Sequence, residues 1–208
     1  MGDIVFQKDY FNTNRINAYF ANETANGGPS KFTNTQLGYQ GCSDINLRLD
    51  RPDSPIHGLI KKLETDFGNF YIHTSSLRQL YYPFMPHTDV RSIEHLQEFR
   101  KQGFTEGWTF LLITELKPNY NASTVFYNNP PRMNEPNMDQ CIQCVPYTSE
   151  YTRQAMNYSI KSVVHQQIGD LVAWKNFQWH STGYDANWNY TRNDWCKRFV
   201  SIETWSRL

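Results

Sequence analysis

Trp108-Thr109-Phe110-Leu111-Leu112-Ile113-Thr114-Glu115-Leu116 is the stretch whose reading decides the fold. It is rich in β-branched and aromatic residues and contains neither glycine nor proline, so it is expected to form a strand. Lys117-Pro118-Asn119-Tyr120-Asn121 reads as a turn and Ser123-Thr124-Val125-Phe126-Tyr127 as a second strand, which together predict a hairpin. Working outward, strands are expected over Asn69–Leu80 running into Tyr81-Tyr82, over Ser159–Gln166, from Leu171 to Trp174, and from Arg198 to Trp205 at the end of the chain. Between the last two lies a polar connection, Ser181–Asp194.

Two helices interrupt this pattern. Asp53-Ser54-Pro55 offers a cap and an early proline before Ile56, Leu59, Ile60 and Leu63, which share one helical face ending near Asp66-Phe67-Gly68. Ile93, Leu96 and Phe99 place a helix or ordered lid within Arg91–Gln102, stopped by Gly103. Asn128–Thr148 is rich in proline and asparagine and reads as a long loop able to fold over a pocket mouth. The first 54 residues are polar and carry no signature, and Gly27-Gly28-Pro29-Ser30 is a loop.

Composition agrees with a β-rich chain. Of 208 residues, 15% are aromatic, more than a helical bundle needs and well suited to strands and pocket walls. The length predicts a single domain. Twenty basic and twenty acidic residues cancel without long runs of one sign, which disfavours nucleic acid as a partner. No stretch reaches the roughly 18 apolar residues of a membrane span, and the N-terminus lacks a basic segment followed by an apolar core. A cytoplasmic protein is therefore expected, and Cys42, Cys141, Cys144 and Cys196 are read as reduced. Cys141-x-x-Cys144 lacks the second pair a zinc site requires and the βαβ context of a redox motif.

The chemistry concentrates just after the expected strand, in Tyr81-Tyr82-Pro83-Phe84-Met85-Pro86-His87-Thr88-Asp89-Val90. Extended backbone sends side chains i and i+2 to one face, so His87 and Asp89 are expected to point together. A neutral imidazole and a carboxylate suit divalent iron, manganese or zinc, and they leave the coordination sphere incomplete. His180, just beyond the turn Gly169-Asp170 and the strand that follows it, is a good candidate for the third ligand. His57, His73, His95 and His165 are expected to be solvated or ordinarily packed.

His87-x-Asp89, Ser123–Tyr127, the Gly169-Asp170-Leu171-Val172 turn, His180 and Arg198 in the last strand, in that order, resemble the iron(II)- and 2-oxoglutarate-dependent dioxygenases, and among them the small prolyl-hydroxylase-like members. The resemblance covers roughly residues 77–205. It implies a mainly β double-stranded β-helix, a jelly roll of the cupin type with a few flanking helices, preceded by a flanking region 1–76.

It further implies that His87, Asp89 and His180 hold Fe(II), and that Arg198 clamps the far carboxylate of 2-oxoglutarate. Lys197 would point to the opposite face of the strand from Arg198, so only one of the two can reach the cofactor. Tyr81 or Tyr82 could add a hydroxyl to that carboxylate, or could simply be a core tyrosine. Trp174, Phe177 and Trp179 could line the pocket or pack beside the barrel. The interval from His180 to Arg198 is longer than is usual in these enzymes, which makes Tyr184–Asp194 an extra loop.

The implied activity is oxidation by O2 of a small molecule or a protein side chain, with release of succinate and CO2. Because halogenating relatives have a small residue at the position of Asp89, hydroxylation of a C–H bond is the expected outcome. Two other readings stand beside it: a cupin-type metal enzyme that does not use 2-oxoglutarate, and a metal-free jelly-roll binding module.

Overall fold

A computed structural model describes residues 3–25, 33–34, 42–46, 54–81, 83–84, 86–89, 93–128, 159–190 and 194–208. Their elements are β1 (Ile4–Gln7), α1 (Asn14–Ala25), β2 (Thr33–Asn34), β3 (Cys42–Asn46), α2 (Ile56–Phe67), β4 (Tyr71–Leu80), α3 (Ile93–Lys101), β5 (Phe104–Leu116), β6 (Ser123–Tyr127), β7 (Ile160–His165), β8 (Leu171–Lys175), β9 (His180–Thr182) and β10 (Lys197–Arg207). Among these residues the strands form a seven-stranded sheet in the order β1-β8-β5-β10-β4-β3-β2 and a three-stranded sheet in the order β7-β6-β9. Every pairing is antiparallel.

The alternation of strand side chains divides the core into two layers. On one face of the large sheet, Leu77, Trp108, Phe110, Leu112, Leu171, Ala173, Val200 and Ile202 meet Ile16 and Phe20 of α1 and Ile56, Leu59 and Leu63 of α2. On the other face, Leu80, Leu111, Ile113, Val172, Trp174 and Phe199 meet Phe126 of the small sheet. This is the two-sheet jelly-roll arrangement, with helices on the outer face of the larger sheet.

The expected hairpin does not form. β5 is flanked on both sides, by β10 and β8, so neither edge is open to β6. The turn instead carries the chain across to the small sheet, where β6 pairs with β7 and β9. The turn itself is where it was expected, with Asn119 in the left-handed region at φ 68°.

The N-terminal region does more than flank the barrel, because β1 pairs with β8 and β3 with β4. Helix α1 closes a defect in β5. Register slips between Arg198 and Phe199 where β10 passes β5, which leaves Thr114 without a ladder partner on that side. Asn17 Nδ2 donates to its carbonyl at 2.8 Å, and the Thr13 hydroxyl reaches the same oxygen at 3.5 Å.

A second slip, between Glu203 and Trp205, brings β10 against Gly107. A Cβ at Gly107 would lie 2.0 Å from the Thr204 carbonyl oxygen, so only glycine fits there. Helix α3 seals the end of this pair through Phe99, stacked on Trp205 at 4.1 Å with 9° between the rings.

Candidate metal centre

β4 ends at Leu80, earlier than expected. Pro83 and Pro86 cannot donate to a ladder, so the segment carrying His87 and Asp89 is irregular rather than a strand. Other backbone bonds hold it. His87 N–H donates to the His180 carbonyl and His180 N–H donates back to His87, both at 2.9 Å, forming an isolated antiparallel bridge. Asp89 N–H donates to the Asn176 carbonyl at 3.1 Å. Residues far apart in sequence are thus fixed side by side, with the two imidazole rings 4.3 Å apart.

His87, Asp89 and His180 each present a ligand atom, and these atoms lie within 4.8 Å of one another. The buried His180 ring is oriented by its own backbone, because Nδ1–H donates to the Gln178 carbonyl at 2.9 Å. A carbonyl can only accept, so the proton sits on Nδ1 and Nε2 carries a lone pair. Burial holds the imidazole neutral, pushing its pKa down to about 4, and the charge of Arg78 acts in the same direction.

Nε2 faces Asp89 Oδ1 at 3.7 Å. With His180 neutral this is not an ion pair. Two electron-rich atoms face each other with no proton between them, an arrangement that a divalent cation relieves. The far oxygen of the carboxylate is already engaged: Oδ2 accepts from Trp174 Nε1–H at 2.7 Å and from the Thr109 hydroxyl at 2.8 Å. Two imidazoles and one carboxylate oxygen make the donor set of a non-haem iron site with open positions, so the residues present fit such a metal.

The pocket in front of these ligands is lined by Arg78, Phe84, Leu111, Thr124, Thr182 and Ser201, with Trp174 and Phe199 among the other walls. Arg78 stands directly across from Phe199 on the neighbouring strand. Its Nε donates to the Ser76 hydroxyl at 3.0 Å, and its Nη2 lies 3.7 Å from Glu203.

Two of the expected cofactor residues, Arg198 and Tyr81, lie elsewhere. Arg198 pairs with Gln79 on β4, and alternation puts it on the side of Val200 and Ile202, facing away from the ligands. There its Nη1 donates to Glu115 at 2.7 Å, its Nε donates to Gln79 at 2.8 Å, and its guanidinium covers the Trp195 ring. Tyr81 joins the same network through a hydrogen bond from Gln79. Arg198 and Tyr81 are therefore brought together with each other and not with the histidines; Tyr82 lies outside the described residues, as do Cys141 and Cys144.

The cation of β10 on the inner face is the buried Lys197, whose Nζ lies 5.1 Å from the centre of the Phe199 ring. The sequence held a signal for Thr109, a polar residue at an inward position of an apolar strand. It held none for Arg78, whose facing depends on the register between β4 and β10.

Of the three aromatics, Trp174 lines the pocket, whereas Phe177 packs towards Trp205. Phe177 also borders a separate polar cavity of about 330 Å³, with Asp3, Glu106, Lys161, Lys175 and Gln178. His73 packs edge-on against Phe99 at 5.3 Å, and His57 and His165 are exposed.

No family model matches the chain, and no curated protein matches its sequence. Solved structures do share its fold. The non-heme alpha-ketoglutarate-dependent epimerase SnoN from nogalamycin biosynthesis superposes with a TM-score of 0.56 at 11% identity, over 99% of this chain and 78% of that one. The alpha-ketoglutarate-dependent carbocyclase SnoK from the same biosynthesis gives 0.54 at 10% identity, covering 97% and 79%. EctD from S. alaskensis gives 0.51 at 13% identity, covering 99% and 73%. The jelly-roll architecture is thus one found in alpha-ketoglutarate-dependent enzymes.

Proposed function

We propose that this chain is an Fe(II)- and 2-oxoglutarate-dependent oxygenase that hydroxylates a C–H bond of a small molecule or protein side chain. One observation carries the reading: the neutral, Nδ1-protonated His180 and the Oδ2-saturated Asp89 turn their remaining lone pairs towards each other beside His87. Bound iron and 2-oxoglutarate would supply the oxidising chemistry, coupling reduction of O2 to oxidation of the substrate with loss of CO2 and formation of succinate.

The chain's own residues then have separable tasks. His87, Asp89 and His180 hold the metal from one side. Phe84, Leu111 and Phe199 keep water from the pocket. Arg78, not Arg198, receives the far carboxylate of 2-oxoglutarate, with Ser201, Thr124 and Thr182 supplying hydroxyls from the same walls. Support for this choice is positional: Arg78 lines the ligand pocket, and Arg198 is engaged by Glu115 on the other face.

The test is anaerobic titration with Fe(II) and 2-oxoglutarate, read through the weak visible charge-transfer band and through succinate formation in air. The parent protein and Arg198→Ala should both give the band. Arg78→Ala should raise the 2-oxoglutarate concentration needed by tenfold or more, on the scale of a charge-assisted contact of about 1.5–3 kcal/mol. A folded parent with neither band nor succinate refutes the oxygenase reading. Loss of affinity in Arg198→Ala with Arg78→Ala unaffected reverses the assignment of the clamp.

A further inference from the structure

Trp174 touches two of the three ligands at once. Its indole N–H donates to Asp89 Oδ2 at 2.7 Å, while its ring lies 4.5 Å from the His180 ring at 46°. Phe126 supports it edge-on at 5.6 Å. An indole nitrogen can donate but never accept, so this bond occupies Oδ2 whatever the surroundings.

The second donor to Oδ2 is Thr109, whose single proton has two acceptors within reach, Asp89 at 2.8 Å and Asn176 Oδ1 at 3.0 Å. The charged carboxylate is the stronger acceptor and takes it. Asn176 is itself tied down, because its Nδ2 donates to the Thr204 carbonyl at 2.7 Å.

Resting on the metal reading above, we infer that Trp174 and Thr109 are positioning residues that restrict Asp89 to coordination through Oδ1 alone, and so keep a metal position open for the co-substrate. A carboxylate close to a cation can bind through one oxygen or two. With both oxygens available it would chelate, and two imidazoles plus a chelating carboxylate would leave an octahedral metal two positions instead of three. 2-Oxoglutarate takes two, so none would remain for O2. The two donors to Oδ2 prevent this by making the second oxygen costly to remove from its hydrogen bonds.

Mn(II) provides the test, because exchangeable waters on it can be counted from line broadening of its electron spin resonance in oxygen-17 water. The parent should show three waters. Trp174→Phe keeps a ring against His180 and Phe126 but removes the N–H, and combined with Thr109→Val it should drop the count to two.

Thr109→Ser keeps the hydroxyl and should retain three, while Phe126→Leu disturbs the packing of Trp174 without touching the bond and should also retain three. Three waters in a folded Trp174→Phe/Thr109→Val protein overturn the inference, as does a fall to two in Phe126→Leu. If the double variant does not fold, Trp174→Phe alone decides by the same count, and three waters in it refute the inference. A parent that binds no Mn(II) or Fe(II) refutes the metal reading beneath it.

Discussion

Gly107→Ala is a methyl group placed where backbone already stands. The new Cβ would lie 2.0 Å from the Thr204 carbonyl oxygen, 2.4 Å from its carbon and 2.7 Å from Trp205 Cα, all main-chain atoms that no rotamer change can move aside. To restore ordinary contact, β5 and β10 must separate locally by about 1 Å or more, on the scale of overpacked sites that lose about 1–3 kcal/mol.

That separation also breaks bonds. Trp108 N–H donates to the Thr204 hydroxyl at 3.1 Å, that hydroxyl donates to the Trp108 carbonyl at 2.8 Å, and Asn176 Nδ2 donates to the Thr204 carbonyl. All three are buried, and losing two of them adds about 2 kcal/mol. Alanine's lower unfolded-chain entropy returns about 0.4–1 kcal/mol. The expected loss is about 3–4 kcal/mol, a fall in Tm of roughly 10 °C for a chain of this size. Urea and thermal unfolding of both proteins measure it, with an unchanged m-value showing that the same surface unfolds. A loss below about 1 kcal/mol would refute the reasoning.

Other outcomes follow from the same structure. Leu63→Ala, in the fully buried contact between α2 and the large sheet, should cost about 2–5 kcal/mol in urea unfolding, and a cost under 1 kcal/mol would show that the layer collapses to fill the gap. Burial pushes the Cys196 thiol up to about 11 from 9.0. A folded pKa above the unfolded one gives stability that is present below pH 9 and lost as pH rises towards 11, so Cys196→Ala should flatten that part of the stability profile, and an unchanged slope would contradict it. Fe(II) or Mn(II) at a hundred times its Kd should stabilise the parent by about 2.7 kcal/mol, with no thermal shift in Asp89→Ala; an equal shift in both would place the ion elsewhere.

What could be read from the chain alone was what local pattern determines. The helix at Ile56–Phe67 and the strands at Tyr71–Leu80, Ile160–His165, Leu171–Lys175 and Lys197–Arg207 follow from spacing and alternation, and each lies within a few residues of its expected place. His87 and Asp89 stood out as candidate ligands because His-x-Asp needs only two residues of backbone to act together, and the structure brings His180 to them.

Long-range pairing was not legible. Nothing in Trp108–Tyr127 says that β5 already has two neighbours, so a turn between two strands looked like a hairpin. Helix α1 sat in a polar segment, and among its described side chains Ile16 and Phe20 are the deeply buried ones, too thin an apolar face to declare itself. Arg198 and Lys197 were rightly expected on opposite faces, but which face holds the ligands depends on register with β4. That register is what turns Arg78 inward, one strand away from where a cation was sought.

The reciprocal backbone bridge between His87 and His180 has a mechanical consequence. His87 and Asp89 extend from the end of a strand in the large sheet, whereas His180 opens β9 of the small one. An ion held by all three is therefore a rivet through both layers, closing a long stretch of chain at the point where the sheets meet. Withdrawing it should loosen the small sheet on the large one before either sheet melts, so that hydrogen exchange in β6 and β9 becomes a gauge of occupancy at the site.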